Sequence, residues 1–587
     1  MIRALRAALF GFVVALVPAL AIGCSSCEKK DDKPSSLNEP PVAAPDKLLA
    51  DLYALSPNTS WSRLQRGIGG AFGILPATLP GIIGFMADLD PRIADEIDGA
   101  APIYGVVAGD PAKPSFCLAM KLVDPRRAKM MLTDGETAVF NGREEAGLTH
   151  LVPKVRVEKK EPPAVAALTN NGYIVVGKLP VDLTNLAPYA TRTLPSRPTP
   201  KDAAIIADVP RSAVANVLAP KLESMWADAK GFLVSQDDRM RTEHGGRAPD
   251  FGDPKAIVAA LDAVIGRRIA VFRDLERVRF ALDVNEDAVF LSSTLTPVEG
   301  GPGGAKDGPA KKWIQSMHVG DAASLLALPS TSLVALSLRD TEEDRAAQAS
   351  EMEKAISSSL GDRLKEPDAK RLHDAFEDWT KGRDETLAIA YSIEEPTGTF
   401  VTTRARDAEA ANRAVKSVVD LTKASPFKEM LRVKDVTTAT EDLPGLGKVQ
   451  VAKLTRDAPK PPPGLKLPPG DAGAPLAAGP PAGVAWSTEG GTVSLGLGSE
   501  PLVTLKTSVR PDKKLRDDPL VARFASNVGT TATTFLVAQP LRYDPKSAHL
   551  PPAPIALAVS RKDSDAIVRI EVSDALLRAL SRYFMGF

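Results

Sequence analysis

Three cysteines and five histidines hold most of the chain's capacity for redox, nucleophilic or metal chemistry. Cys24 and Cys27 stand in "LAIGCSSC" with the Cys-x-x-Cys spacing of a redox dithiol, or of half a zinc site. No second cysteine pair or histidine cluster is there to complete four zinc ligands. Cys117, alone in the apolar "FCLAM", reads as a small buried hydrophobe. His150, His244, His318, His373 and His549 show no H-x-x-x-H or H-x-H spacing. His373 and Glu377 fall one turn apart in a charged helical stretch, as a solvated side-chain pair does. Ser425-Pro-Phe-Lys428 fits S-x-x-K, and Lys506-Thr507-Ser508 vaguely resembles K-T-G. A serine acyl-enzyme also needs S-x-N or Y-x-N between them; that element is missing, and Pro426 suits a helix start instead. "DVNED", Asp283 to Asp287, lacks the glycine and closing glutamate of a calcium loop and reads as a hairpin turn. Gly67-x-Gly69, with Gly70 and Gly73, follows no strand and has Phe72 where a dinucleotide fingerprint needs its third glycine. No catalytic set, metal site or cofactor site emerges.

The elements that would position these residues begin with the N-terminus. Arg3 and Arg6 precede an apolar run, Ala7 to Ile22, that ends in small residues before Cys24. This resembles a bacterial lipoprotein signal with Ala21-Ile22-Gly23-Cys24 as the lipobox. The resemblance implies cleavage before Cys24 and a lipid (diacylglycerol and palmitate) on that cysteine. Ala21 departs from the leucine more usual three places before the cysteine. An uncleaved N-terminal anchor is a second reading, since the uncharged run is just long enough to span a bilayer; a redox or metal pair is a third. Ser25 after the cysteine favours the outer membrane under sorting rules known for Gram-negative lipoproteins. The polar, proline-rich "EKKDDKPSSLNEPPVAAPD" that follows reads as a disordered tether, reaching at most roughly 70 Å.

Folded sequence is expected from about Leu48, in two similar parts. Ala166–Leu186 aligns without gaps on Ala485–Leu505, with identities at Ala166/Ala485, Thr169/Thr488, Gly172/Gly491, Gly177/Gly496, Leu183/Leu502 and Leu186/Leu505. Gly172 and Gly491 sit where a hairpin turn needs positive φ. "LYALSPNTS" from Leu52 is matched with "LLALPSTSL" from Leu325, and the strand–turn–strand–helix stretches from Ile103 and Leu387 are matched likewise. "AIIADVP" ending at Pro210 is matched with "FLVAQP" ending at Pro540, and the final hairpins of the two parts with each other. Asp124, before Pro125, and Asp407 are expected helix N-caps. The fold class expected is α+β: two tandem copies of an antiparallel sheet with helices on one face, after a signal and tether. The spans are 1–23 signal, 24–47 tether, 48–319 first copy and 320–587 second copy, with a proline-rich loop at 457–483. The arrangement resembles that of exported bacterial proteins built from repeated αβ units, a likeness that implies the fold and supplies no catalytic residue.

Balanced charge, with Lys+Arg 73 against Asp+Glu 73, and no basic block argue against nucleic acid as a partner. Gly67 to Ala87 carries no charge and is expected to form two buried helical turns split by Pro76 and Pro80. Ile68, Phe72, Ile74, Leu75, Ile82, Ile83 and Phe85 are the candidates there for contact with a membrane or hydrophobic ligand. The corresponding stretch of the second copy, from Thr341 to Trp379, is strongly charged. These features lead to a non-enzymatic, membrane-tethered envelope lipoprotein facing the periplasm, acting as a scaffold or binding module for envelope proteins or lipid. A lipid carrier or chaperone is the alternative, and a serine acyl-enzyme a weaker one.

Overall fold

Short runs rich in valine, isoleucine and tyrosine, such as "IYGVVA" and "YIVVG", set the architecture, because such side chains pack well on a pleated surface. The computed structural model describes residues 39–68, 75–86, 92–136, 138–154, 164–198, 203–243, 254–285, 287–300, 307–394, 397–456, 482–543 and 552–585. Contacts divide the chain into two units. Unit 1 takes the described residues up to Glu223, Ile269–Lys312 and those from Ser564 onward; unit 2 takes Ser224–Arg268 and Trp313–Asp563. The units therefore follow contacts rather than contiguous spans of sequence.

Unit 1 contains β1 (Leu48–Ala54), β2 (Ile103–Ala108), β3 (Ser115–Lys121), β4 (Phe140–Glu145), β5 (Leu148–Pro153), β6 (Val165–Thr169), β7 (Tyr173–Gly177), β8 (Ile205–Pro210), β9 (Leu275–Val284), β10 (Ala288–Pro297) and the chain's last strand, β20 (Asp565–Ser573). They form an antiparallel sheet in the order β4-β5-β6-β7-β3-β2-β1-β8-β9-β10-β20. Its helices include α1 (Pro57–Ile68), α2 (Leu79–Met86), α3 (Arg92–Asp95), α4 (Pro125–Lys129) and α5 (Pro180–Pro188).

Unit 2 contains β11 (Val334–Arg339), β12 (Arg383–Ser392), β13 (Gly398–Ala405), β14 (Val433–Leu443), β15 (Gly447–Arg456), β16 (Ala482–Ser487), β17 (Thr492–Gly498), β18 (Ala532–Ala538) and β19 (Ile555–Lys562). Their antiparallel order is β14-β15-β16-β17-β13-β12-β11-β18-β19, which repeats the first nine strands of unit 1 one for one. Helices α6 (Glu342–Leu360) and α7 (Glu366–Gly382) join β11 to β12, where unit 1 has α1 to α3. Further along come α8 (Ala408–Leu421), α9 (Ser425–Leu431) and α10 (Pro501–Val509).

The local signals have the same causes in both units. Asp124 and Asp407 adopt the same backbone conformation, φ −135° and ψ 102°, and each side chain accepts from the N–H groups two and three residues on. Gly172 and Gly491 have φ of +82° and +71°. At Gly177 and Gly496 a helix crosses close above the strand. A Cβ on Gly496 would lie 2.3 Å from the Pro501 carbonyl oxygen, and one on Gly177 would lie 2.8 Å from Leu183.

Two expectations are corrected. Helices cover both faces of each sheet, not one. In β3, Cys117 and Ala119 pack with Leu183 and Leu186 of α5, while Met120 packs with Ala128 of α4 and Leu132. Unit 2 does the same, with Leu505 of α10 in one cluster and Val415 of α8 in another. Strands buried on both faces read as unbroken apolar runs, which is why no alternation reveals the second layer. The match of Leu325–Leu333 with Leu52–Ser60 also fails. Ala323–Leu326 is a helical turn, and the strand paired as β1 is paired begins at Val334.

Candidate functional site

The lipidation candidate, Cys24, lies outside the described residues, and the first described residue, Glu39, belongs to unit 1. Glu39 pairs with Arg192. The Val42 N–H donates to Thr193 Oγ1 at 2.8 Å, and that hydroxyl donates to the Val42 carbonyl at 2.8 Å. Thr193 and Arg192 belong to a π-helical turn, Tyr189–Thr193, that continues α5. Val42 and Leu48 pack on the cluster containing Tyr53, Leu183, Tyr189 and Leu194. Residues 39–47, assigned from sequence to the tether, are thus held by the body. Their proline-rich composition hides this, because the partners lie about 150 residues downstream.

The same turn reaches a charged row on the sheet. Asp51 of β1 is buried, 5% exposed. Its Oδ2 accepts from the Tyr189 hydroxyl at 3.2 Å and from Arg197 Nη1 at 2.8 Å, with the Arg197 guanidinium 5.3 Å from the centre of the Tyr189 ring. Opposite Asp51 across the strands stands Asp208 of β8, and opposite Asp208 stands Arg279 of β9. Arg279 donates to both Asp208 oxygens, at 2.8 and 2.9 Å. Asp51 Oδ1 is buried with no partner among the described residues. Burial outweighs the attraction of Arg197 and holds the Asp51 carboxyl above the ordinary aspartate range. Burial, then the Asp51 charge, pushes the Tyr189 phenol up as well. Chemically these are two ion pairs side by side, Arg197–Asp51 and Arg279–Asp208, with no nucleophile set against a base among these residues. The residues, at 51, 189, 197, 208 and 279, carry no spacing signal; only strand pairing brings them together.

The corresponding row of unit 2 is aliphatic. Followed strand by strand from the matched Gly177 and Gly496, the pairing places Ala335 at Asp51, Val537 at Asp208 and Ala556 at Arg279.

The other sequence candidates resolve individually. Ile68 closes α1, while Phe72 and Ile74 lie outside the described residues. Leu75 and Ile82 are buried against Trp61, whose indole donates to the Pro76 carbonyl at 2.7 Å. Ile83 packs on the cluster of Ile93 and Met120, and Phe85 is half-buried. Pro80 sits in the first turn of α2 instead of splitting two turns, in keeping with its tolerance there. The Ser425 hydroxyl donates to Glu429 at 2.7 Å, one turn along its own helix α9, rather than facing Lys428. Thr507 donates back to the Val503 carbonyl. His373 meets Glu353 at 3.0 Å and Glu377 meets Lys381 at 2.6 Å, so the two pair with others and not with each other. In the Asp283–Asp287 turn, Asn285 Oδ1 accepts from the N–H groups of Asp287 and Ala288, as an ordinary Asx turn does. Cys117 is fully buried, and burial drives its thiol far above the range in which it ionises.

Two grooves flank α8 in unit 2. One, of about 360 Å³, runs between Lys416, Asp420 and Lys423 of α8 and the strand residues Thr438, Thr440 and Gln450, with Trp486 at its base. Asn412 accepts from both Gln450 and Trp486 and fixes that base. The other, of about 410 Å³, is bounded by α7 and α8, where Arg413 holds Asp378 at 2.8 Å. Both are open and polar, suited to a polar surface of a partner rather than to an apolar ligand. Among the described residues no three His, Cys, Asp or Glu side chains gather as a metal-binding group, and no helix is long and apolar enough to cross a membrane.

No family model matches the chain, and no curated protein does. A solved structure, crystal form III of TP0453, aligns with 44% of this chain and 97% of its own at 11% identity. Its TM-score of 0.20 is too low to carry an argument.

Proposed function

We propose that this protein is an exported lipoprotein of the bacterial cell envelope, tethered to a membrane through lipid on Cys24. Its α+β body acts as a non-enzymatic scaffold or binding module on the periplasmic side. The observation that carries the reading is the succession of a positive start, an apolar run, Ala21-Ile22-Gly23-Cys24 and a polar stretch, ending where Glu39 docks on unit 1. Two further observations support a module that binds. Ser425, His373 and Cys117 are engaged in helix, ion-pair and core contacts respectively, and two grooves of unit 2 are lined by groups suited to polar partners. The similar strand order of the units further supports descent from one duplicated αβ element. Ser25 favours the outer membrane.

The test is Cys24→Ala in the full chain, followed by membrane fractionation and sizing. The expected result is loss from the membrane fraction or accumulation of uncut precursor. Unchanged size and distribution would overturn the proposal.

A further inference from the structure

The segment from Tyr189 to Arg197 is fastened at two places. Arg192 and Thr193 hold the N-terminal stretch through Glu39 and Val42. Tyr189 and Arg197 hold Asp51 on the sheet. We infer that this segment is a clasp that fixes the point at which the N-terminal tether leaves unit 1, with Asp51 as the catch that fastens it. The inference rests on the lipoprotein reading only for what stands at the far end of the tether.

The backbone explains why the hold falls where it does. Pro40 and Pro41 have no N–H, so Val42 offers the first backbone donor after Glu39. Thr193 answers both the N–H and the carbonyl of Val42 through one hydroxyl, as a neighbouring strand would. The hydroxyl is itself buried, which strengthens the pairing relative to one in water.

Unit 2 supplies the internal comparison. There the segment at Lys513–Leu515 also holds the stretch leading into the first central strand. Ser330 donates to the Lys513 carbonyl at 3.0 Å, and Leu515 donates to the Leu328 carbonyl at 2.9 Å. That stretch is interior chain, with Leu325 and Leu328 buried, and the row beneath it is Ala335, Val537 and Ala556. Holding the entry stretch is therefore common to both units. The charged catch is found only where the held stretch leads back to the N-terminus, and where load on a tether would act on it.

The consequence is geometric: with the clasp closed, the stretch from the proposed anchor to Glu39 is the fifteen residues 24–38, a length of at most about 50 Å. Released to Leu48, it would gain nine residues, roughly 30 Å of reach.

The experiment is hydrogen exchange at the Val42 amide in the full chain, on membranes. Wild type should show protection. Arg192→Ala/Thr193→Val should exchange at least about tenfold faster, because both partners of the stretch are gone. Thr193→Ser should keep the protection. Glu39→Ala acts from the tether side without touching a body residue, so it decides the matter even if the double variant misfolds. It should speed exchange about threefold. Exchange at the free-chain rate in wild type, or no change with Glu39→Ala and the double variant, would overturn the clasp. Cys24→Ala separates the two readings: it should release the protein from the membrane or leave uncut precursor, with Val42 still protected. Unchanged size and unchanged attachment under Cys24→Ala would sink the lipid anchor and leave the clasp standing.

Discussion

Asp51, Asp208 and Arg279 cross three neighbouring strands of unit 1, and Ala335, Val537 and Ala556 occupy the same row of unit 2. Both units nevertheless reach one strand order. The topology is therefore not built on those charges. It follows from what the units share: glycines where a helix crosses a strand, aspartate caps, positive-φ turns and strands buried on both faces. The charged row is a departure from a scheme that works without it, which directs attention to what it touches, namely the clasp and the entering chain.

The largest expected effect tests the shared scheme. Valine at Gly177 or Gly496 would drive Cβ into backbone and α5 or α10, costing about 3 kcal/mol in chemical denaturation. Equal losses in both units fit a common helix-on-strand contact; loss at one position alone would break the comparison.

Next comes the row itself. Asp208→Ala removes both carboxylate oxygens to which the mostly buried Arg279 guanidinium donates and should cost about 2 kcal/mol. Asp208→Ala/Arg279→Ile, which makes the row aliphatic as it is in unit 2, should return to within about 1 kcal/mol of wild type. A double variant no better than the single one would show that the row is structural.

Capping should give smaller and matched effects. Asp124→Ala and Asp407→Ala are each expected to lose about 1 kcal/mol by thermal or denaturant unfolding.

How far these features could be read in advance depends on their range along the chain. Both N-caps, both turn glycines and the antiparallel α+β class are legible, because their causes lie within a few residues. Asp124 and Pro125 mark a helix start wherever they occur. The second helical layer is not legible, since Cys117 and Met120 both look apolar whichever face they serve. The clasp is invisible for another reason. Val42 finds Thr193 across 151 positions, and the stretch around it has the composition of a linker. Asp51 reads as one more charge in a balanced chain until β8 and β9 are paired beside it. Likewise, Leu325 resembles Leu52 in sequence, yet strand pairing assigns the equivalence to Leu336.

The smallest effect is a pH slope. Burial raises the folded-state value of Asp51 above the ordinary 3.8, so protonated Asp51 is the form that folding favours. Stability from this group is fully present below 3.8 and declines as pH rises through the raised value. Asp51→Asn should remove that slope, so the variant gains on wild type across the window. Parallel curves for the two proteins would show that Asp51 titrates as an exposed carboxyl does.

The central claim concerns the N-terminus, and intact mass of the protein extracted from membranes tests it most directly. The account predicts a chain that begins at Cys24 and carries the added mass of a diacylglycerol on its thiol. A chain that begins at Met1, or a Cys24 without lipid, would contradict it.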